Sequence, residues 1–285
     1  YWSLGKHNIT GNTVNGKPLV YLKNKKDLII TYAGQVILYE CENITVKNLV
    51  ISNTDCGIEL IGCKYCTITN NLISSCHTGI LLYTYCKNNQ IYENIIKSNE
   101  RGITVAYSPG LYSSGLNSIY SNTIVNNHYG IYMKGFSRNL IYNNYLQNRN
   151  NANDTGNNIW NIGKIPGTNI VGGSYLGGNY WSDYTGLDTD GDGIGDTNIP
   201  HNSSGGIKHG GDYLPLILPG GNGNSPPSTP TKPVGETDGE VGNVYTFETS
   251  SIDPDGDEIR YGWDWDGDFV VDEWTGYHWP NTTIS

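Results

Sequence analysis

The chain has 285 residues, 36% of them hydrophobic and only 15% charged, with a net charge of −10. Low charge beside abundant Gly, Asn, Tyr and Ser excludes a disordered polyelectrolyte and points to an all-β protein. No apolar run reaches the roughly 20 residues of a membrane span, and the acidic balance disfavours nucleic acid as a partner.

The chain opens mid-pattern at Tyr1 with no signal peptide, as expected of a mature or excised fragment. Asn-x-Ser/Thr sequons start at Asn8, Asn43, Asn153, Asn202 and Asn281, which suits an extracellular location. From residue 36 the sequence repeats. Val36, Ile58, Ile80, Ile103 and Ile131 align at steps of 22, 22, 23 and 28 residues, and Leu38, Leu60, Leu82, Val105 and Met133 follow two positions later. That period-2 pair is the inward side of a short strand. A second column holds Val46, Ile68, Ile91, Ile119 and Ile141. A third, five residues on, holds Ile51, Ile73, Ile96, Ile124 and Leu146. Between them stand Asn71, Asn94, Asn122 and Asn144, spaced for a side-chain amide ladder with about 4.8 Å between rungs. Stacked identical coils of this kind predict a parallel β-helix solenoid. The 28-residue step contains an insertion at about 108–115, a projecting loop that either binds or is merely tolerated.

All six cysteines, Cys41, Cys56, Cys63, Cys66, Cys76 and Cys86, lie in the early coils. Cys63-x-x-Cys66 lacks the second half of a metal site. The expectation is stacked apolar thiols, or one or two disulfides between coils.

Charge changes sign along the chain: residues 1–186 carry 14 Lys and Arg against 9 Asp and Glu, and residues 187–285 carry 3 against 18. Asp188, Asp190, Asp192 and Asp196 occupy relative positions 1, 3, 5 and 9 of a loop, with Gly193 at the sharp turn and the Ile194 carbonyl available at position 7. This spacing wraps oxygen ligands around Ca²⁺. The twelfth position is Ile199 rather than Glu, so Asp183 or Asp212 is expected to complete the shell. The ion would fix the C-terminal cap. Asp264, Asp266, Asp268 and Asp272 repeat the spacing, interleaved with aromatic residues.

The repeat block, the closing NIVGGSYLGGNYWSDYTGLDTDGDGIGDT and the later DYLPL resemble the NosD-type (CASH) β-helix family over roughly residues 1–218. GNTVNGKPLVYLKN is similar to the family's opening coil. The resemblance implies a right-handed parallel β-helix and an association with carbohydrates. The family includes a periplasmic accessory protein of copper-enzyme maturation, but Met133 is the only methionine and no His/Met/Cys cluster marks a copper site. Residues 219–227 read as a linker. Residues 228–285 resemble a polycystic-kidney-disease-type (PKD) β-sandwich that stops before its last strands.

Glycan-cleaving chemistry on a β-helix needs converging carboxylates or a base beside Lys or Arg. Among the outward positions of the first strand column, Glu59 and Lys134 stand about three coils apart, with Asp55, His77, Glu100 and Arg101 in nearby turns. The rest of that face is aromatic and aliphatic. Three functions follow in order of expectation: a calcium-stabilised structural or adhesive protein of the cell surface, in a surface layer or matrix; a polysaccharide-binding module using Tyr39, Tyr83, Tyr132 and Tyr112; and a lyase or epimerase using Glu59, His77 or Lys134. The expected partners are surface or matrix polysaccharide, or other copies of the chain.

Overall fold

The computed structural model describes residues 9–107, 115–135, 138–218, 227–252, 258–265, 267 and 271–279. Asn8, most of the 108–115 insertion with Tyr112, Asp266, Asp268 and Asn281 lie outside them. The chain divides into two units, Tyr1–Pro219 and Gly220–Ser285.

The first unit is an all-β parallel solenoid built on three sheets. The first sheet has eight strands, from Thr13–Val14 and Lys17–Lys23 through Gln35–Tyr39, Cys56–Ile61, Thr78–Tyr83, Arg101–Ala106 and Tyr129–Met133 to Asn150–Asp154. Two six-stranded sheets complete each coil. Within these three sheets pairing is parallel, apart from the antiparallel hairpin of Thr13–Val14 with Lys17–Lys23 at the N-terminal edge; beyond them Ile165–Pro166 pairs antiparallel with Tyr175–Leu176. The register is the one the repeat predicts: Val36 pairs with Ile58, Ile58 with Ile80, Ile80 with Ile103, and Ile103 with Ile131. The second and third columns stack likewise. These aliphatic columns fill the interior and are fully buried.

Three corners per coil turn the chain from sheet to sheet, and each uses the same two-residue device. Asn70, Glu93, Ser121 and Asn143 adopt left-handed φ of 53–55°, and each precedes a rung of the predicted ladder. A single left-handed residue bends the backbone sharply at a cost of about 1–2 kcal/mol. The buried Asn that follows offsets it. Its amide donates to the carbonyl two residues back, as Asn94 does to Tyr92 and Asn122 to Tyr120 (both 2.9 Å). It donates again to the next rung: Asn71 to Asn94 at 2.9 Å, Asn94 to Asn122 at 3.0 Å, Asn122 to Asn144 at 2.9 Å and Asn144 to Asn179 at 2.8 Å.

Two further ladders occupy the other corners. One runs Asn89, Asn117, Asn139, Asn158, and the other Asn99, Asn127, Asn148, Asn151. Their signal was in the sequence: rungs 28 and then 22 or 21 residues apart, in step with the ladder that the repeat revealed. At the start of the first sheet's strands, Gly57, Gly79 and Gly102 stack. A Cβ on Gly79 would stand 2.6 Å from the Gly102 carbonyl oxygen and 2.9 Å from a methyl of Ile96, so only glycine lets the coils close.

The cysteines belong to this stacking. Cys66 and Cys76 head the second and third ladders, their backbone N–H groups donating to Asn89 and Asn99 (2.9 Å each). The thiols of Cys41, Cys63 and Cys86 donate to the carbonyls of Leu22, Leu38 and Leu60 one coil earlier. All six are buried free thiols, the stacked arrangement, and inter-coil disulfides are not formed.

The second unit, taken by itself, forms two short antiparallel pairs among its described residues, Val234–Gly235 with Phe247–Glu248 and Gly262–Trp263 with Glu273–Trp274.

Candidate metal centre

The aspartate loop sits where the last coil ends. Asp188 organises it: its carboxylate accepts the backbone N–H groups of Gly191 (2.8 Å), Asp192 (3.2 Å) and Gly193 (2.7 Å). Gly191 and Gly193 have φ of 78° and 86°, the left-handed turns that fold the loop back on itself. Asp196 closes the ring by accepting Thr189 N–H at 2.7 Å and its hydroxyl at 2.6 Å, and these bonds hold its carboxyl below the usual range. One carboxylate oxygen each from Asp188, Asp190 and Asp196 falls within 4.8 Å of the others, a group able to hold a metal ion.

Asp192 does something else. Its carboxylate pairs with Lys164 and accepts Ile194 N–H at 2.8 Å. Ile194 is buried and bridges Leu216 in antiparallel register, the bonds being made by Gly195 to Pro215 (2.8 Å) and Ile217 to Gly193 (3.0 Å). In such a non-hydrogen-bonded pair the residue's own N–H and C=O point away from the partner strand. The Ile194 carbonyl is therefore turned to the loop side, with its N–H. Leu216 in turn bridges Tyr180 of the third sheet, so loop and helix end are tied by one strand.

Asp183 and Asp212, expected to complete the metal shell, are elsewhere. Each terminates an amide ladder. Asn179 donates to Asp212 through its backbone (2.6 Å) and side chain (3.3 Å), and Trp181 Nε1 and Leu214 N–H add bonds of 2.8 and 3.0 Å. Asn151 donates to Asp183 at 2.6 Å, alongside His201 and Ser203. The remaining ladder ends on Asp154, which accepts Asn158 at 2.8 Å and Trp160 Nε1 at 3.0 Å. Every Asn-to-Asn bond donates toward the C-terminus, so each ladder presents its positive dipole end at its last Asn, and a carboxylate receives it, Asp154 doing so from the strand just before Asn158. Sequence reasoning missed this role because the three aspartates share no spacing: Asp154 ends the strand Asn150–Asp154, and Asp183 and Asp212 arrive from separate later segments.

Burial pushes the Asp212 carboxyl up to about 6 against its four donors, and raises Asp154 in the same way. Burial, then Asp55, pushes Glu59 up to about 7. Groups raised in the fold bind protons more tightly there than in the unfolded chain, so stability falls as pH rises from about 4 to about 7. Asp183 behaves oppositely. Burial works against its charge, but His201 and Asn151 hold it below the usual range, so its contribution is lost only in stronger acid. In the presence of a chelator we expect the protein to be about 2 kcal/mol more stable at pH 5 than at pH 7. Urea midpoints at the two pH values measure this, and a midpoint that rises toward pH 7 contradicts it.

The second aspartate loop repeats part of the first. Gly267 N–H donates to Asp264 and Trp265 N–H to Asp272, both at 2.7 Å, matching Gly191 on Asp188 and Thr189 on Asp196. Of the tyrosines considered for glycan stacking, Tyr132 carries Arg101 at 4.5 Å and Lys134 at 5.5 Å over its ring, and Tyr39 carries Lys23 at 5.6 Å. Cations occupy ring faces that a sugar would need. Tyr39 and Tyr83 share one outward column, while Tyr132 stands in the neighbouring one with Glu59 and Thr104. Tyr92, Tyr120 and Tyr142 form a stacked column of their own with centroids 5.0 and 5.2 Å apart.

Coils, ladders and a terminal carboxylate loop define a parallel β-helix protein with a candidate cation site closing one end. Residues 2–186 match the model of a family described as "Periplasmic copper-binding protein (NosD)", and the chain belongs to that family. No curated protein and no solved structure matched. Among the described residues no group of three imidazoles or thiols, the ligands copper favours with thioether, converges. Met133 is sealed in the core, the thiols are bonded to carbonyls, and His128 and His201 are held by Glu100 and Asp183 in separate places. The group that does converge is all carboxylate. Among the described residues no helix is long and apolar enough to cross a membrane.

Proposed function

We propose that this chain is an extracellular structural protein of the cell surface whose β-helix is closed by bound calcium. The observation that carries the proposal is the convergence of Asp188, Asp190 and Asp196 in a loop strapped to the last coil through Leu216. Oxygen ligands alone suit a hard cation, and flexible carboxylates on an irregular loop suit Ca²⁺ better than the strict octahedron of Mg²⁺. Three carboxylates held this close repel one another, and a divalent cation converts that repulsion into attraction. The ion then stiffens a loop remote from the sheet faces, which is a structural task and leaves those faces free for surface or matrix partners.

Calcium at 100 times its dissociation constant adds about 2.7 kcal/mol to stability. For a unit of this size that raises the melting temperature by about 5–10 °C relative to excess chelator. Asp190→Asn should remove most of the rise without altering the melting temperature in chelator. Equal melting temperatures with calcium and with chelator would sink the proposal, as would copper(II) stabilising the protein where calcium does not.

A further inference from the structure

A cation already stands at the aspartate loop, and it belongs to the chain. The Lys164 ammonium pairs with the Asp192 carboxylate and lies 4.6 Å from the centre of the Tyr175 ring. The hairpin of Ile165–Pro166 with Tyr175–Leu176 brings it there. Ile162 N–H donates to the Gly177 carbonyl at 2.9 Å and Gly178 N–H to that of Leu214 at 2.7 Å, which fixes the base of the hairpin to the end of the helix. Its turn touches the loop itself, since a Cβ on Gly193 would stand 4.0 Å from the Gly173 Cα.

We infer that Lys164 is a tethered competitor of the metal ion: it holds Asp192 out of the empty site, yields that carboxylate when calcium binds, and so sets the calcium affinity. The inference rests on the calcium reading of the loop and adds the residue that regulates it.

The position of Asp192 is the first support. It stands fifth in the loop, where a calcium loop places a ligand. Yet the carboxylates that converge are those of Asp188, Asp190 and Asp196. One Asp192 oxygen faces Lys164, and the other accepts Ile194 N–H at 2.8 Å. A single side chain from 28 residues upstream therefore separates the fourth carboxylate from the other three.

The strength of the latch is the second. The Lys164 side chain is 38% exposed and that of Asp192 14%, and an ion pair open to water on one side is a weak bond. Released from Asp192, the ammonium still has the face of Tyr175 to rest on. A divalent ion attracts a carboxylate twice as strongly as an ammonium does at equal distance, so it can displace the lysine. The lysine also repels the ion. One positive charge about 6 Å from a divalent ion weakens its binding about tenfold even in water. The cap thus closes where calcium is abundant and stays open where it is scarce.

The test is calorimetric titration of the whole chain with calcium, together with its melting temperature, for wild type, Lys164→Met, Lys164→Arg and Lys97→Met. Lys164→Met should bind calcium about tenfold more tightly. Lys164→Arg keeps the charge and should stay within about twofold of wild type, as should Lys97→Met, which removes the same charge three strands away from Tyr180–Trp181 in the third sheet. In chelator Lys164→Met should melt about 2 °C below wild type, because Asp192 has lost its partner, and at saturating calcium that deficit should vanish. A lysine with only a structural role leaves the deficit the same in both. Calcium binding by wild type that Lys164→Met does not tighten overturns this inference and leaves the calcium reading standing. Equal tightening by Lys164→Arg or Lys97→Met also overturns it. If neither wild type nor Lys164→Met binds calcium at millimolar concentration, both readings fall.

Discussion

Replacing Asp212 with alanine is expected to cost about 4–6 kcal/mol, the largest loss of any single substitution considered. Its carboxylate accepts four donors, Asn179 N–H, the Asn179 amide, Trp181 Nε1 and Leu214 N–H, and it is fully buried. Alanine leaves all four facing a dry space. Each unmet donor costs about 1–3 kcal/mol, reduced where water enters and by relief of a buried charge. Asp212→Asn keeps one accepting oxygen and should cost about half as much. Gly178 makes the space this carboxylate occupies, since a Cβ there would lie 1.8 Å from Asp212 Oδ1. Urea unfolding followed by the emission of the buried Trp160 and Trp181 reads the loss at the relevant end. A change under about 1 kcal/mol for Asp212→Ala would show that the ladder does not need its last acceptor.

Asn122→Leu is the second large effect, at about 3 kcal/mol. Asn122 sits mid-ladder: its oxygen accepts both N–H groups of Asn94, and its amide donates to Asn144, Ile91 and Tyr120. Leucine removes all five bonds and strands the buried Asn94 backbone N–H. Steric misfit is a poor alternative explanation, because Leu49 fills the same column one rung before Asn71. The measured loss is therefore the polar part. Because each rung polarises the next, Asn122→Leu combined with Asn94→Leu should cost less than the sum of the two single changes. Strict additivity of the thermal midpoints would show that the rungs act independently.

Much of the solenoid was legible because its signal is periodic. Val36, Ile58 and Ile80 declare a coil length, and the Asn71–Asn144 ladder declares a corner. The other two ladders went unread, although Asn89 and Asn99 flank Asn94 by five residues on either side and move with it coil by coil. The end of the helix was harder. Asp188, Asp190 and Asp196 announce themselves by local spacing, and the structure brings them together. Asp154, Asp183 and Asp212 meet the ladders only through tertiary folding. A carboxylate that accepts from Trp181 and Asn179 looks, in the sequence, like any other aspartate in an acidic tail. The same limit applies to Asp192, whose partner Lys164 lies 28 residues away across an irregular stretch.

The one-way run of the amide ladders bears on how such a chain is made. A ribosome delivers the coils in order, and every rung except Asn158, whose acceptor Asp154 is already made, points its N–H toward a residue not yet synthesised. At each moment the nascent end displays three unmet donors at its corners, beside open strand edges, and together they form a template that only an Asn, or a final acid, can satisfy. Growth by templating has no natural end of its own. Asp154, Asp183 and Asp212 supply one, since a carboxylate accepts from the last rung and offers no donor to a successor.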